Sequence, residues 1–172
     1  GERKYNDFVG KYLTIEKGII QSIDGEILGN HDGHIYFTIG QRRGLGIGAR
    51  FSAEDKPWYV VKKDIQRNIV FVAQGENHPA LFSKTIIVEH INWINNKPTT
   101  FPKDYYAKVR YRDEDKLCTI SSLDNNTYSV EFASEQKAIT PGQSIVLYNK
   151  ENVCIGGGII AKRDIPFLKE TV

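Results

Sequence analysis

Lys108, Arg110 and Arg112 occupy alternate positions in Lys108-Val109-Arg110-Tyr111-Arg112, a stretch that reads as part of a β-strand, Tyr105–Arg112. Alternation along a strand puts all three cations on one face, about 6.5 to 7 Å apart, close to the phosphate spacing of a nucleic-acid strand. Arginine adds a planar fork that holds phosphate through two bonds. The row is therefore suited to tracking an RNA backbone. Its plain alternative is the polar outer face of a half-buried strand. A second basic pair, Arg42 and Arg43, lies in Gly40-Gln41-Arg42-Arg43-Gly44-Leu45-Gly46-Ile47-Gly48. That loop is too rich in glycine for a helix or a strand interior, and it lets phosphate oxygens approach backbone N–H groups. A solvated loop is the alternative there.

Catalytic constellations are not legible. The sequence has no G-x-x-x-x-G-K-[ST] phosphate loop and no G-x-S-x-G elbow. Gly44, Gly46 and Gly48 follow no strongly apolar strand and precede no helix, so a dinucleotide site is not expected. His31 and His34 flank Asp32-Gly33 without a third ligand, and read as exposed turn histidines with no metal. His78 and His90 stand alone and read as structural. Cys118 sits in an alternating stretch and Cys154 precedes a glycine run; both read as small apolar packing residues and not as nucleophiles.

Bulk properties bound these readings. The 172 residues suit one ordinary domain or two small ones, with 40% hydrophobic and 26% charged residues. Lysine and arginine number 23 against 21 acidic residues, so any basic surface must come from local clustering. Two cysteines exclude a disulfide-dense scaffold and point to a reduced intracellular setting. That setting is expected to be the cytoplasm, with the mitochondrial matrix as the alternative. No apolar run approaches the roughly 20 residues that span a bilayer, and the opening residues lack the apolar core of a signal peptide.

The elements that must position the basic groups are mostly strands. Tyr5, Phe8, Val9, Tyr12 and Leu13 predict a short amphipathic helix over Arg3–Leu13. Asp24-Gly25 between short apolar runs predicts a hairpin with both turn residues at positive φ. Strands are expected at His34–Ile39, Trp58–Lys63 and Ile69–Ala73, the last two as a hairpin. The second half predicts Ile86–Ile91, Tyr105–Arg112, Leu117–Leu123, Tyr128–Phe132, Ser144–Tyr148 and Val153–Ile160, with turns at Asn125-Asn126 and Pro141-Gly142. Short strands at this spacing predict a small antiparallel barrel. The fold class is thus mainly β, a small β-rich domain over residues 1–83 followed by a β-barrel domain over residues 84–172. The tail Lys162–Val172 is expected to be loosely held.

Taken in order, the stretches closely resemble the tRNA-specific 2-thiouridylases. The likeness rests on Gly1-Glu2-Arg3, on Asp24-Gly25-Glu26-Ile27-Leu28-Gly29-Asn30-His31, and above all on Thr38-Ile39-Gly40-Gln41-Arg42-Arg43-Gly44-Leu45-Gly46-Ile47-Gly48. Pro57–Asp64, Asn68, Val72–Gly75 and His78–Leu81 continue it, followed by Val109–Arg112, Ala138–Gln143 and Cys154–Gly158. The resemblance implies a three-part enzyme that uses ATP to adenylate the wobble uridine of tRNA and replaces its oxygen with persulfide sulfur from a relay partner. It implies tRNAs for Lys, Glu and Gln as substrates. The nucleotide-binding domain and both catalytic cysteines would lie upstream of Gly1, so the chain reads as the inactive back part of the enzyme. Its second domain would resemble domain 2 of elongation factors. Carried over by motif, tRNA contacts fall on Arg110, Tyr111 and Gln143. Tyr111 conflicts with strand alternation, which turns it away from Arg110, unless the strand ends or bulges there. A stand-alone barrel adaptor for RNA or protein is the competing reading.

Overall fold

The computed structural model describes residues 16–47, 56–94, 96–111, 113–124 and 126–165. The expected helix at Arg3–Leu13 lies outside them. The described chain is built from strands with two 3-10 turns, and it packs as two units that divide between Leu81 and Phe82.

The first unit is a four-stranded sheet. Its strands are β1 (Gly18–Ser22), β2 (Ile27–His31), β3 (Trp58–Asp64) and β4 (Ile69–Gln74), in the order β2-β1-β4-β3. β1 and β4 run parallel, with Ile20 opposite Val70, and the outer pairs are antiparallel. β4 explains its own sequence: Ile69-Val70-Phe71-Val72-Ala73 is a near-continuous apolar run because this inner strand is covered on both faces. The β1–β2 hairpin forms as expected, but only Gly25 is left-handed, at φ 97°. Ser22 N–H bonds the Glu26 carbonyl at 2.8 Å, which makes a three-residue loop instead of the two-residue turn.

His34–Ile39 is not a strand. His34–Tyr36 is a 3-10 turn, and Phe37 and Ile39 point inward around exposed Thr38. The alternation was a true sign of burial, but among the described residues no strand pairs along this segment. The Phe37 carbonyl is satisfied by the Lys63 ammonium at 2.9 Å instead. Asn68, left-handed at φ 54°, ties the start of β1: its Nδ2 donates to the Glu16 and Lys17 carbonyls. A methyl group on Gly18 would overlap the Asn68 carbonyl, so only glycine fits that crossing.

The second unit is a closed barrel of β5 (Phe82–Trp93), β6 (Lys103–Lys108), β7 (Lys116–Ser122), β8 (Thr127–Lys137), β9 (Ser144–Tyr148) and β10 (Cys154–Arg163). The order is β10-β5-β8-β7-β6-β9, and β9 pairs with β10 to close it. Closure leaves no strand edge exposed. Ile86, Val88, Ile120, Tyr128, Val130, Phe132, Ile145, Leu147 and Ile160 fill the interior. Cβ atoms on Gly156 and Gly157 would meet the carbonyls of Asn92 and Ile145, which accounts for the glycine run where β10 bends across β5 and β9. The front of the charged tail is not loose. Lys162 and Arg163 finish β10, and the Asp164 carboxylate accepts from the N–H groups of Lys84 and Thr85, both at 3.0 Å.

Candidate nucleic-acid interface

β6 stops at Lys108, so Lys108 and Arg110 do not share a strand face. Arg112 lies outside the described residues. After buried Val109 the chain turns, with Asp113 N–H bonding the Arg110 carbonyl at 3.2 Å. This strand end removes the conflict over Tyr111. The Tyr111 ring, 96% exposed, stands out from the turn beside Arg110 and is no longer constrained by alternation.

Arg110 reaches a different segment. Its Nη2 donates to the Ala138 carbonyl at 2.8 Å, and the Thr140 hydroxyl donates to the same oxygen at 3.3 Å. Ala138 holds φ 55°, which bends the chain out of β8 into Thr140-Pro141-Gly142-Gln143. That turn closes through Gln143 N–H to the Thr140 carbonyl, with Gly142 left-handed at φ 88°. β10 pins it on both sides: Gly142 N–H bonds the Ile160 carbonyl at 2.7 Å, and Ile160 N–H bonds the Gln143 carbonyl at 2.9 Å. The Gln143 side chain is exposed. One end of the barrel therefore carries a guanidinium, an exposed aromatic ring and an exposed amide on two loops joined by a hydrogen bond. Such a set can contact phosphate, stack on a base and read a polar group.

Lys108 is engaged elsewhere. Its ammonium lies 3.2 Å from the Asp115 carboxylate and 5.5 Å from the centre of the Tyr148 ring. Sequence reasoning did not single out Asp115, and it named Ala138 only as the start of the Ala138–Gln143 motif. Neither residue type signals binding, and only the folded loops bring them to Lys108 and Arg110.

In the first unit, Gly40–Ile47 is an ordered loop. Gly40, Gly44 and Gly46 have φ of 84°, 73° and 68°. Gly40 N–H bonds the Val60 carbonyl at 2.8 Å and Gln41 N–H the Thr38 carbonyl at 3.0 Å, while Leu45 is buried. Those two N–H groups are thus committed to the fold and not free to hold a phosphate. Arg42 and Arg43 are exposed, and Arg42 borders an open cleft of about 720 Å³ with Lys56, Tyr59, Glu76 and His78.

His31 is not an exposed turn residue. It is only 4% exposed and packs against Phe37, and its Nδ1 accepts from Gly33 N–H at 3.1 Å. Burial holds its pKa below the ordinary value, partly opposed by the Asn68 backbone. His34 Nδ1 pairs with Asn68 Oδ1 at 3.2 Å. His78 Nδ1 accepts from Ala80 N–H. Burial, with Asp104 adding to it, pushes the Cys118 thiol up to about 12, which removes it as a nucleophile at neutral pH.

Two family models match the chain. The tRNA methyl transferase PRC-barrel domain covers residues 6–74, and the aminomethyltransferase beta-barrel domain covers residues 83–160. The chain is also 47% identical over 163 residues to the tRNA-specific 2-thiouridylase MnmA of Tolumonas auensis. It belongs to the tRNA-specific 2-thiouridylase family. The match takes in 95% of this chain and 44% of that relative. The 2-thiouridylases of Haemophilus influenzae (strain KW20) and Yersinia pestis (strain Pestoides F) are 48% and 45% identical over the same length, at 42% and 44% of their own chains. The chain thus spans less than half the length of these 2-thiouridylases, and it carries the family's central and C-terminal domains. No helix among the described residues is long and apolar enough to cross a membrane.

Proposed function

We propose that this chain is the tRNA-binding portion of a cytoplasmic tRNA 2-thiouridylase. The whole protein would place 2-thiouridine at the wobble position of tRNAs for Lys, Glu and Gln, using ATP and sulfur from a relay protein. No described residue is given a part in adenylation or sulfur transfer. The part assigned to this chain is to hold the tRNA, through Arg110, Tyr111 and Gln143 at the barrel end. Arg42 and Arg43 form a second basic contact on the first unit.

The observation that carries the reading is the Arg110–Ala138 hydrogen bond. It joins the two loops whose motifs resemble the family's tRNA contacts, though 28 positions separate the bonded residues in sequence. With a net charge of only +2, affinity must come from such local groups and not from a general basic field. The test is a salt titration of tRNA affinity. Arg110→Ala should weaken binding by about 1 to 3 kcal/mol and make the logarithmic salt slope shallower by about one. Gln143→Ala should weaken binding and leave the slope unaltered, because the amide displaces no counterion. A folded Arg110→Ala variant with full affinity and slope would show that this barrel end does not hold RNA.

A further inference from the structure

We propose that Lys108 and Asp115 form a clamp at the neck of the β6–β7 loop, positioning Arg110 and Tyr111, and that Lys108 itself makes no phosphate contact. The inference rests on the barrel end being the RNA interface. The last rung between β6 and β7 joins Ala107 to Lys116. Lys108 and Asp115 stand one step beyond it, where the backbone ladder has ended and the loop begins. Their ion pair at 3.2 Å extends the pairing by one side-chain rung.

Three observations separate this pair from an incidental surface contact. Both side chains are largely covered, 31% and 26% exposed. Asp115 Oδ1 is shielded from solvent, with the Lys108 ammonium at 3.2 Å as its counter-charge. The ammonium also lies 5.5 Å from the centre of the Tyr148 ring of β9. An ammonium engaged by both a carboxylate and an aromatic ring is poorly disposed toward a phosphate, and moving it would strand a desolvated carboxylate oxygen. The loop then has two fixed points, its neck at Lys108–Asp115 and its tip at Arg110–Ala138. Tyr111 is carried between them.

The sign of one substitution decides between clamp and contact. Asp115→Asn in the full chain, measured against an unmodified tRNA transcript, should weaken affinity roughly 3- to 5-fold with the salt slope unchanged. Asp115→Glu, which keeps the charge, should restore most of the loss. Lys108→Met should weaken binding to a similar extent, again without altering the slope. If Lys108 is instead a phosphate contact restrained by Asp115, then Asp115→Asn binds more tightly with a steeper slope, and Lys108→Met loses about one unit of slope. Either result overturns the proposal.

Amide exchange supplies an arm that needs no RNA. The Asp113 N–H should exchange roughly 5-fold faster in Asp115→Asn while the β7 and β8 amides stay unchanged. Unchanged Asp113 exchange would remove the clamp whatever the binding data. A wild-type chain that binds no tRNA would instead refute the RNA interface, and the exchange measurement would still decide whether the pair holds the loop.

Discussion

The two units solve the problem of a polar loop on a β scaffold in opposite ways. In the barrel, every strand finds a partner on both sides and the interior is filled from the strands themselves. The loops bearing Tyr111 and Gln143 project from a scaffold that does not need their side chains. In the first unit the described strands form an open sheet, and the loop after β2 completes its core: Phe37, Ile39 and Leu45 are buried alongside Ile20, Val60 and Val72. Gly40 and Gln41 even exchange backbone bonds with Val60 of β3. A closed scaffold leaves its loops available for binding, whereas an open sheet draws its loop into the fold. The described part of the motif with the longest resemblance, Thr38–Ile47, is thus in large part architecture.

Removing a barrel-core ring gives the largest effect that would sharpen this contrast. Phe132→Ala should cost about 3 to 5 kcal/mol, since its site is closed by strands on all sides. Each unit contains one tryptophan, Trp58 in the first and Trp93 in the second. Single-tryptophan variants followed by fluorescence in denaturant report the units separately, and the loss should fall on the Trp93 signal.

The loops themselves come next. Leu45→Ala should cost about 2 kcal/mol although it lies in a glycine-rich loop, because its side chain is only 6% exposed. Tyr111→Ala, also in a loop and larger, should change stability by no more than about 0.5 kcal/mol. Equal costs at the two positions would break the comparison.

The smallest effect is a difference in pH response. His31 is buried neutral, with its Nδ1 committed to Gly33 N–H, and burial lowers its pKa from the ordinary 6.5. The unfolded chain therefore takes up a proton first as pH falls. The first unit should keep its full stability above about pH 6.5 and lose it progressively as pH falls from there toward the folded-state value. The Trp93 signal of the barrel serves as the internal reference over the same range. Substituting His31 with Gln should flatten the response at Trp58. A pH dependence that survives this change would assign it to another group.

Much of the architecture was legible because it depends on local rules. Alternation and turn residues located all six barrel strands, and Pro141-Gly142 and Asp24-Gly25 marked real turns. Recognition of motifs gave the family. What the residues could not give was where each strand stops and what each polar group touches. Lys108-Val109-Arg110-Tyr111-Arg112 alternates as a strand would, yet β6 ends at Lys108. Its hydrogen-bonding partner β9 is only five residues long, and the ladder between them ends at Lys108 and Val146. His31 read as a turn residue because its neighbours are Asp32 and Gly33, but the loop that buries it comes from later in the chain. The parallel β1–β4 pair, the Asn68 tie and the Lys108–Asp115 neck are likewise contacts between distant positions. Local preference fixes which residues can form a strand or a turn; only closure of the sheet and barrel decides which side chains are left to meet a ligand, because that depends on partners the sequence does not place side by side.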